Sequence, residues 1–189
     1  MNDPMGKRVS VTFVGPILYP ATKNLRTFCC QVANSKADEI RLQISSTGGS
    51  LFEGFALYHF LRSLPLKVTT HNIGNIDSIA NIVFLAGEIR RACSEGRFLL
   101  HEFDWAYSSA QSETHSRLKE HAASLDDEKA RYASILKSRI DPVKSEPAIA
   151  DLLSSASILS AQRARELGLV HEVAEPSCKD CDSFWNIDY

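Results

Sequence analysis

No apolar run in the sequence is long enough to span a bilayer; the longest, Ile79–Gly87, falls far short of a membrane-crossing helix. The opening Met-Asn-Asp-Pro-Met-Gly-Lys-Arg has no apolar segment behind its charges, so no secretory leader is expected. Neither sign of charge dominates: 21 Lys and Arg face 23 Asp and Glu, for a net charge of −2. The basic residues are scattered among acids, which argues against a nucleic-acid partner. Cysteine is sparse and odd in number, five in 189 residues, and is not spaced as a disulfide framework. Cys29 and Cys30 lie in an apolar helical pattern and read as core thiols. Cys178 and Cys181 form a single C-x-x-C, two ligands where structural zinc takes four, so no metal is expected. A reducing cytoplasm is the expected compartment. Internal repeats and low-complexity segments are also missing. What is present, 44% hydrophobic and 23% charged residues over a length suited to one core, is an ordinary globular composition.

Hydrophobic periodicity predicts alternating strands and helices. Val9–Gly15 and Glu39–Ser45 alternate apolar and polar residues as strands, and Lys67–Ile73 and Arg97–His101 are predicted strands too. Between them, Pro20 opens a helix to about Ser35, and a second runs from about Leu51 to Leu64 with an apolar stripe through Phe55 and Tyr58. Strand–helix–strand crossovers of this kind specify an α/β domain. About 112–140 forms one long polar helix with Leu118, Leu125 and Tyr132 on a seam, which predicts packing along one edge, against another subunit or against its own domain. A short helix to about Leu153, another over Ser160–Leu167 and a strand over Leu169–Val173 follow. Residues 1–7 and 175–189 are expected to be loosely held, leaving a single domain over 8–174.

The organising stretch is Gly74–Gly87, where Ser78 stands immediately before an apolar run. Such a serine is either a simple cap of a core helix, as Asp77 also could be, or a nucleophile beside the free N–H groups of a helix start. Two neighbours favour chemistry. Gly48-Gly49 follows one predicted strand, and His101 ends another. If those strands share a sheet, all three features meet at one edge, where α/β enzymes assemble sites. Serine needs a base to take its proton, and His101 titrates in the right range. An N–H of Gly48 or Gly49 can serve an oxyanion, because glycine has no Cβ to hold a carbonyl away, and the Ile79 N–H can supply a second donor.

Ser46-Thr47-Gly48-Gly49-Ser50 with Glu53-Gly54 resembles the S-P-G-G-S-x-x-x-G pattern of the Clp protease proteolytic subunit. Gly74–Ala80 is similar to that family's G-x-x-A-S-x-A, with Asp77 in place of alanine, and Leu99-Leu100-His101-Glu102 to its M-I-H-Q. Leu159-Ser160-Ala161 through Val170 is similar to L-S-A-x-E-A-x-x-x-G-L-V, and the long helix to the family's handle helix. The likeness runs in order over about 8–174. It implies a crotonase-like ββα spiral with a protruding handle helix and an assembly into homo-oligomeric rings. It also implies serine endopeptidase activity on extended or unfolded polypeptide. Ser78 would be the nucleophile, His101 the general base, and Gly49 with Ile79 the oxyanion donors. That chemistry takes no cofactor.

Two departures qualify the implication. The family's acid lies three residues before the L-S-A step, and Ala156 stands there. Asp151 or Asp77 would have to substitute, or a Ser–His dyad would act alone. Loss of the acid costs about ten-thousandfold in a worked serine protease. Few residues precede the first strand, where the family carries axial gates that engage an ATPase ring, and this counts against an ATPase partner. Two other functions stay open. One is a catalytically impaired structural or regulatory subunit; the other is a crotonase-type acyl-CoA enzyme, since the spiral fold is shared.

Overall fold

The structure is a computed structural model, and it describes residues 7–101, 103, 114–140, 151–153 and 156–187. Glu102, residues 112 and 113 of the expected handle helix, most of the short helix expected before Leu153, and both extreme termini lie outside the described residues.

Strands β1 (Arg8–Val14), β2 (Glu39–Ser46) and β3 (Lys67–Asp77) are parallel neighbours. They are joined by α1 (Ala21–Asn34) and α2 (Leu51–Ser63). The alternation in β2 fixes its facing: Ile40, Leu42 and Ile44 are fully buried, while Arg41 and Gln43 point to the opposite, partly solvated face. α1 lays Leu25 and Cys29 on this core and α2 adds Phe55, Leu57 and Leu61. Ser50 caps α2, its Oγ accepting from the Glu53 N–H.

β3 extends through Asp77, four residues beyond the expected strand, and serves two neighbours in succession. Its first half pairs with β4 (Ile89–Ala92) and its second with β5 (Arg97–Leu100), both parallel. Asn72, fully buried, sits at the handover. Its carbonyl accepts from Cys93 N–H, its Nδ2 donates to the Arg97 carbonyl at 3.0 Å, and its Oδ1 accepts from Gly74 N–H at 2.8 Å. The short strand β4 was not among the expected elements, because the charged pair Arg90-Arg91 obscured it in the sequence.

β6 (Ser157–Ser160) pairs antiparallel with β5, and β7 (Glu172–Val173) pairs with β4. The six-residue α3 (Ala80–Leu85) is buried throughout. α4 (His115–Arg139) buries only Tyr132 and Leu136, while Leu118 on the same expected seam remains 45% exposed. α5 (Ala161–Glu166) is capped by Ser160, whose Oγ accepts from Arg163 N–H.

The end segment, expected to be loosely held, is instead placed through Ile187. β8 (Ser183–Ile187) adds to β1 in parallel, giving the order β6-β5-β3-β2-β1-β8. Asp182 accepts from Arg8 N–H at 2.6 Å, Asp180 takes a bidentate pair from Arg41 at 2.7 and 2.8 Å, and Trp185 packs on Phe28. Cys178 and Cys181 are free thiols on this segment, Cys178 beside Ser10 and Gln43 and Cys181 beside Arg41.

Candidate active site

Ser78 sits directly after β3 and before α3, with φ +57. A left-handed backbone at a non-glycine residue costs about 1–2 kcal/mol, so the surroundings must hold it there. They do. The Ser78 N–H donates to the Leu99 carbonyl at 3.0 Å. Its own carbonyl accepts from Asn81 N–H at 3.0 Å, Asn81 Nδ2 at 2.9 Å and the Tyr132 hydroxyl at 3.2 Å. Asn81 Nδ2 also donates to the Leu99 carbonyl at 2.9 Å, tying the end of β3 to β5. Burial raises the Tyr132 hydroxyl well above its usual range, which keeps it a donor.

This geometry removes the cap alternative. α3 begins after Ile79, and neither Asp77 nor Ser78 gives it a side-chain cap. The Ser78 turn spends its hydrogen bonds on its own strained shape. Asn81 and Tyr132 were missed as contributors in the sequence. Asn81 carried a signal, a lone amide inside an apolar run; Tyr132 read as a seam residue and gave none.

The Gly48-Gly49 turn lies against this serine. A Cβ on Gly48 would stand 2.7 Å from Ser78 Cβ and 2.9 Å from the Asp77 carbonyl, and Gly48 has φ +87. Gly49, at φ +149, bridges Ile17: Ile17 N–H donates to the Gly48 carbonyl and Ser50 N–H to the Ile17 carbonyl. That pattern engages the residues on either side of Gly49. Among the described residues, neither the Gly49 nor the Ile79 N–H donates a hydrogen bond. Ile79 is itself held by Gly54, where a Cβ would come within 2.2 Å of Ile79 Cγ1.

His101 follows β5 directly, and β5 pairs with β3 through Asp77↔Leu99, so the residue after each strand end lies at the same edge of the sheet. Among the described residues no hydrogen bond joins Ser78 Oγ to His101. The β5–β6 register ends at Leu100↔Ser157, and Ala156, just before β6, has φ +50. Asp77 is buried; its Oδ2 accepts from Arg97 Nη2 at 3.4 Å, and its Oδ1 is buried without a partner among the described residues. Asp151 is exposed on the short helical turn 151–153.

No helix of the described residues is long and apolar enough to cross a membrane. The fold is similar to that of a ClpP1 point mutant from Listeria monocytogenes, with a TM-score of 0.76, 18% identity, and coverage of 90% of this chain and 92% of that one. This likeness establishes the crotonase-like α/β fold. The family model for Clp protease matches residues 13–177, from the first strand to beyond the last motif, and includes the serine turn, the glycine pair and the strand-end histidine. On that match, the chain belongs to the Clp protease family.

Proposed function

We propose that the chain is a serine endopeptidase acting on extended polypeptide, with Ser78 as nucleophile and His101 as general base. The observation that carries this is the Ser78 turn: a strained backbone clamped by three donors, beside two N–H groups left without partners among the described residues. Strain maintained at this cost is a feature of sites, where it pre-aims a side chain. In the proposed reaction His101 takes the Ser78 hydroxyl proton as Oγ adds to the scissile carbonyl. The Gly49 and Ile79 N–H groups receive the developing oxyanion. The protonated imidazole then gives its proton to the leaving amine, and water repeats the sequence on the acyl-enzyme. The hydroxyl and imidazole need only close into contact when substrate fills the edge, as apo catalytic pairs commonly do.

Asp77 is the proposed acid in place of Ala156. Side chains alternate along a strand, so a regular continuation of β5 carries residue 101 on the face that already holds Arg97 against Asp77. The Asp77 Oδ1, buried and unpaired among the described residues, is an acceptor in need of an N–H. Asp151, by contrast, is exposed at the surface. Substrate would add as a strand, since main-chain pairing suits sequence-tolerant cleavage. Homo-oligomeric assembly along α4 completes the proposal, with Leu118 exposed on it.

A second reading, an impaired structural subunit, is favoured by Ala156 standing three residues before Leu159-Ser160-Ala161, where the family's acid lies. A fluorophosphonate probe separates the two. Labelling of the wild type, absent in Ser78→Ala and slowed by at least tenfold in Asp77→Asn but not in Asp151→Asn, is the expected result. Absence of wild-type labelling, together with no peptide hydrolysis, would leave the impaired subunit standing.

A further inference from the structure

Away from the Ser78 edge, the end of α2, the start of β4, the end of α4 and the residue after Val170 enclose an open pocket of about 420 Å³. Its lining is Arg62, Glu88, Arg90, Arg139 and His171. Three guanidiniums and an imidazole thus face one space with a single carboxylate. None of the four basic groups forms an ion pair among the described residues.

Part of this cluster has an internal explanation. Arg90 donates to the carbonyls of Leu169, Gly87, Arg139 and Gly168, and Arg139 to those of Leu85 and Gly87. These guanidiniums staple strand and helix ends together. A guanidinium has five N–H donors, however, and Arg139 uses only two of them among the described residues. Arg62 uses none among the described residues and staples nothing there. His171 Nδ1 accepts a hydrogen bond from the Arg90 backbone N–H at 3.2 Å, so the neutral ring carries its proton on Nε2 and presents a donor. The charges repel one another. Arg90 is lowered to about 10, by burial first and then by Arg139 and Arg62, and His171 is lowered by burial and by the two arginines Arg90 and Arg139. Water can fill such a pocket but cannot neutralise it.

We propose that this pocket is a binding site for a phosphate group, carried by inorganic phosphate or by a phosphomonoester and held by Arg62, Arg139 and His171 over the buried charge of Arg90. A carboxylate brings one charge; a phosphate brings nearly two, and three acceptor oxygens that match guanidinium forks. An occupied site would cross-link four chain segments, including the last residue of the helix that carries Tyr132 to the Ser78 carbonyl. The proposal does not depend on Ser78 being a nucleophile.

Calorimetric titration of the full chain with inorganic phosphate and, separately, phenyl phosphate, at ionic strength matched with chloride, tests it. Saturable binding of either ligand, weakened at least tenfold by Arg62→Ala, is expected. That variant keeps the carbonyl contacts of Arg90 and Arg139 and should fold. Arg163→Ala, which removes a surface arginine paired with Glu166, should leave the affinity unchanged. Binding of the ester alone assigns the source to a phosphorylated ligand, and binding of the free ion alone or of both assigns it to the phosphate group itself. No saturable binding of either ligand, or an affinity insensitive to Arg62→Ala, overturns the proposal.

Discussion

The clamp on the Ser78 carbonyl sets a quantitative expectation. Tyr132→Phe removes one of three donors to that carbonyl and leaves the packing against Phe103 intact, so the cost is that of one net hydrogen bond, about 1 kcal/mol. Asn81→Ala removes two hydrogen bonds, to the Ser78 and Leu99 carbonyls, and leaves a small cavity at a fully buried position. Its cost should be about 2–3 kcal/mol. In each single variant the Ser78 carbonyl keeps the Asn81 backbone N–H and one side-chain donor. In the double variant only the Asn81 backbone N–H remains, and a left-handed serine has little else to hold it. The double variant should therefore lose about 0.5 kcal/mol or more beyond the sum of the singles. Urea unfolding at fixed protein concentration, read as midpoint and slope, measures this cycle. Labelling by a serine-directed probe should fall in the same order as stability, because the same contacts aim the hydroxyl. Additive single effects, or an unaltered midpoint in Asn81→Ala, would refute the argument that these side chains maintain the strained turn.

Two further outcomes follow from individual positions. Gly48→Ala places a methyl 2.7 Å from Ser78 Cβ at a backbone angle of φ +87, so it should cost about 2–3 kcal/mol by urea unfolding and abolish probe labelling; normal labelling would show that the glycine turn is not pressed onto the serine. His71 is buried with its Nε2 at 2.9 Å from the Ala174 carbonyl, and burial lowers its pKa. The unfolded chain therefore binds this proton first. Stability contributed by the neutral ring is present above the ordinary histidine value of about 6.5 and is lost as pH falls from there toward the folded value. The wild type should lose more stability than His71→Gln between about pH 7 and 5, and parallel pH profiles of the two would refute the assignment.

Much of this was legible in the chain itself. The alternation of β1 and β2, the stripe of α2 and the apolar block of α3 report burial directly, because one face of each element must meet the core. The serine, the glycine pair and the histidine drew notice in the sequence because each follows a predicted strand, and the fold places all three just after strand ends. Other features required the fold. β3 runs to Asp77 because β5 is there to receive it, and β8 is ordered because Asp180 and Asp182 find Arg41, Arg8 and an open sheet edge. Neither event has a local signature: the pairing energy comes from residues far away in sequence. The same holds at the site. Residue type alone nominated Asp77 and Asp151 equally, and only tertiary packing buried one of them beside Arg97 and left the other at the surface. Local sequence determines which backbone a segment prefers and which face it hides; which groups are driven together in low dielectric, and which are left without partners, is decided when distant strands close on one another.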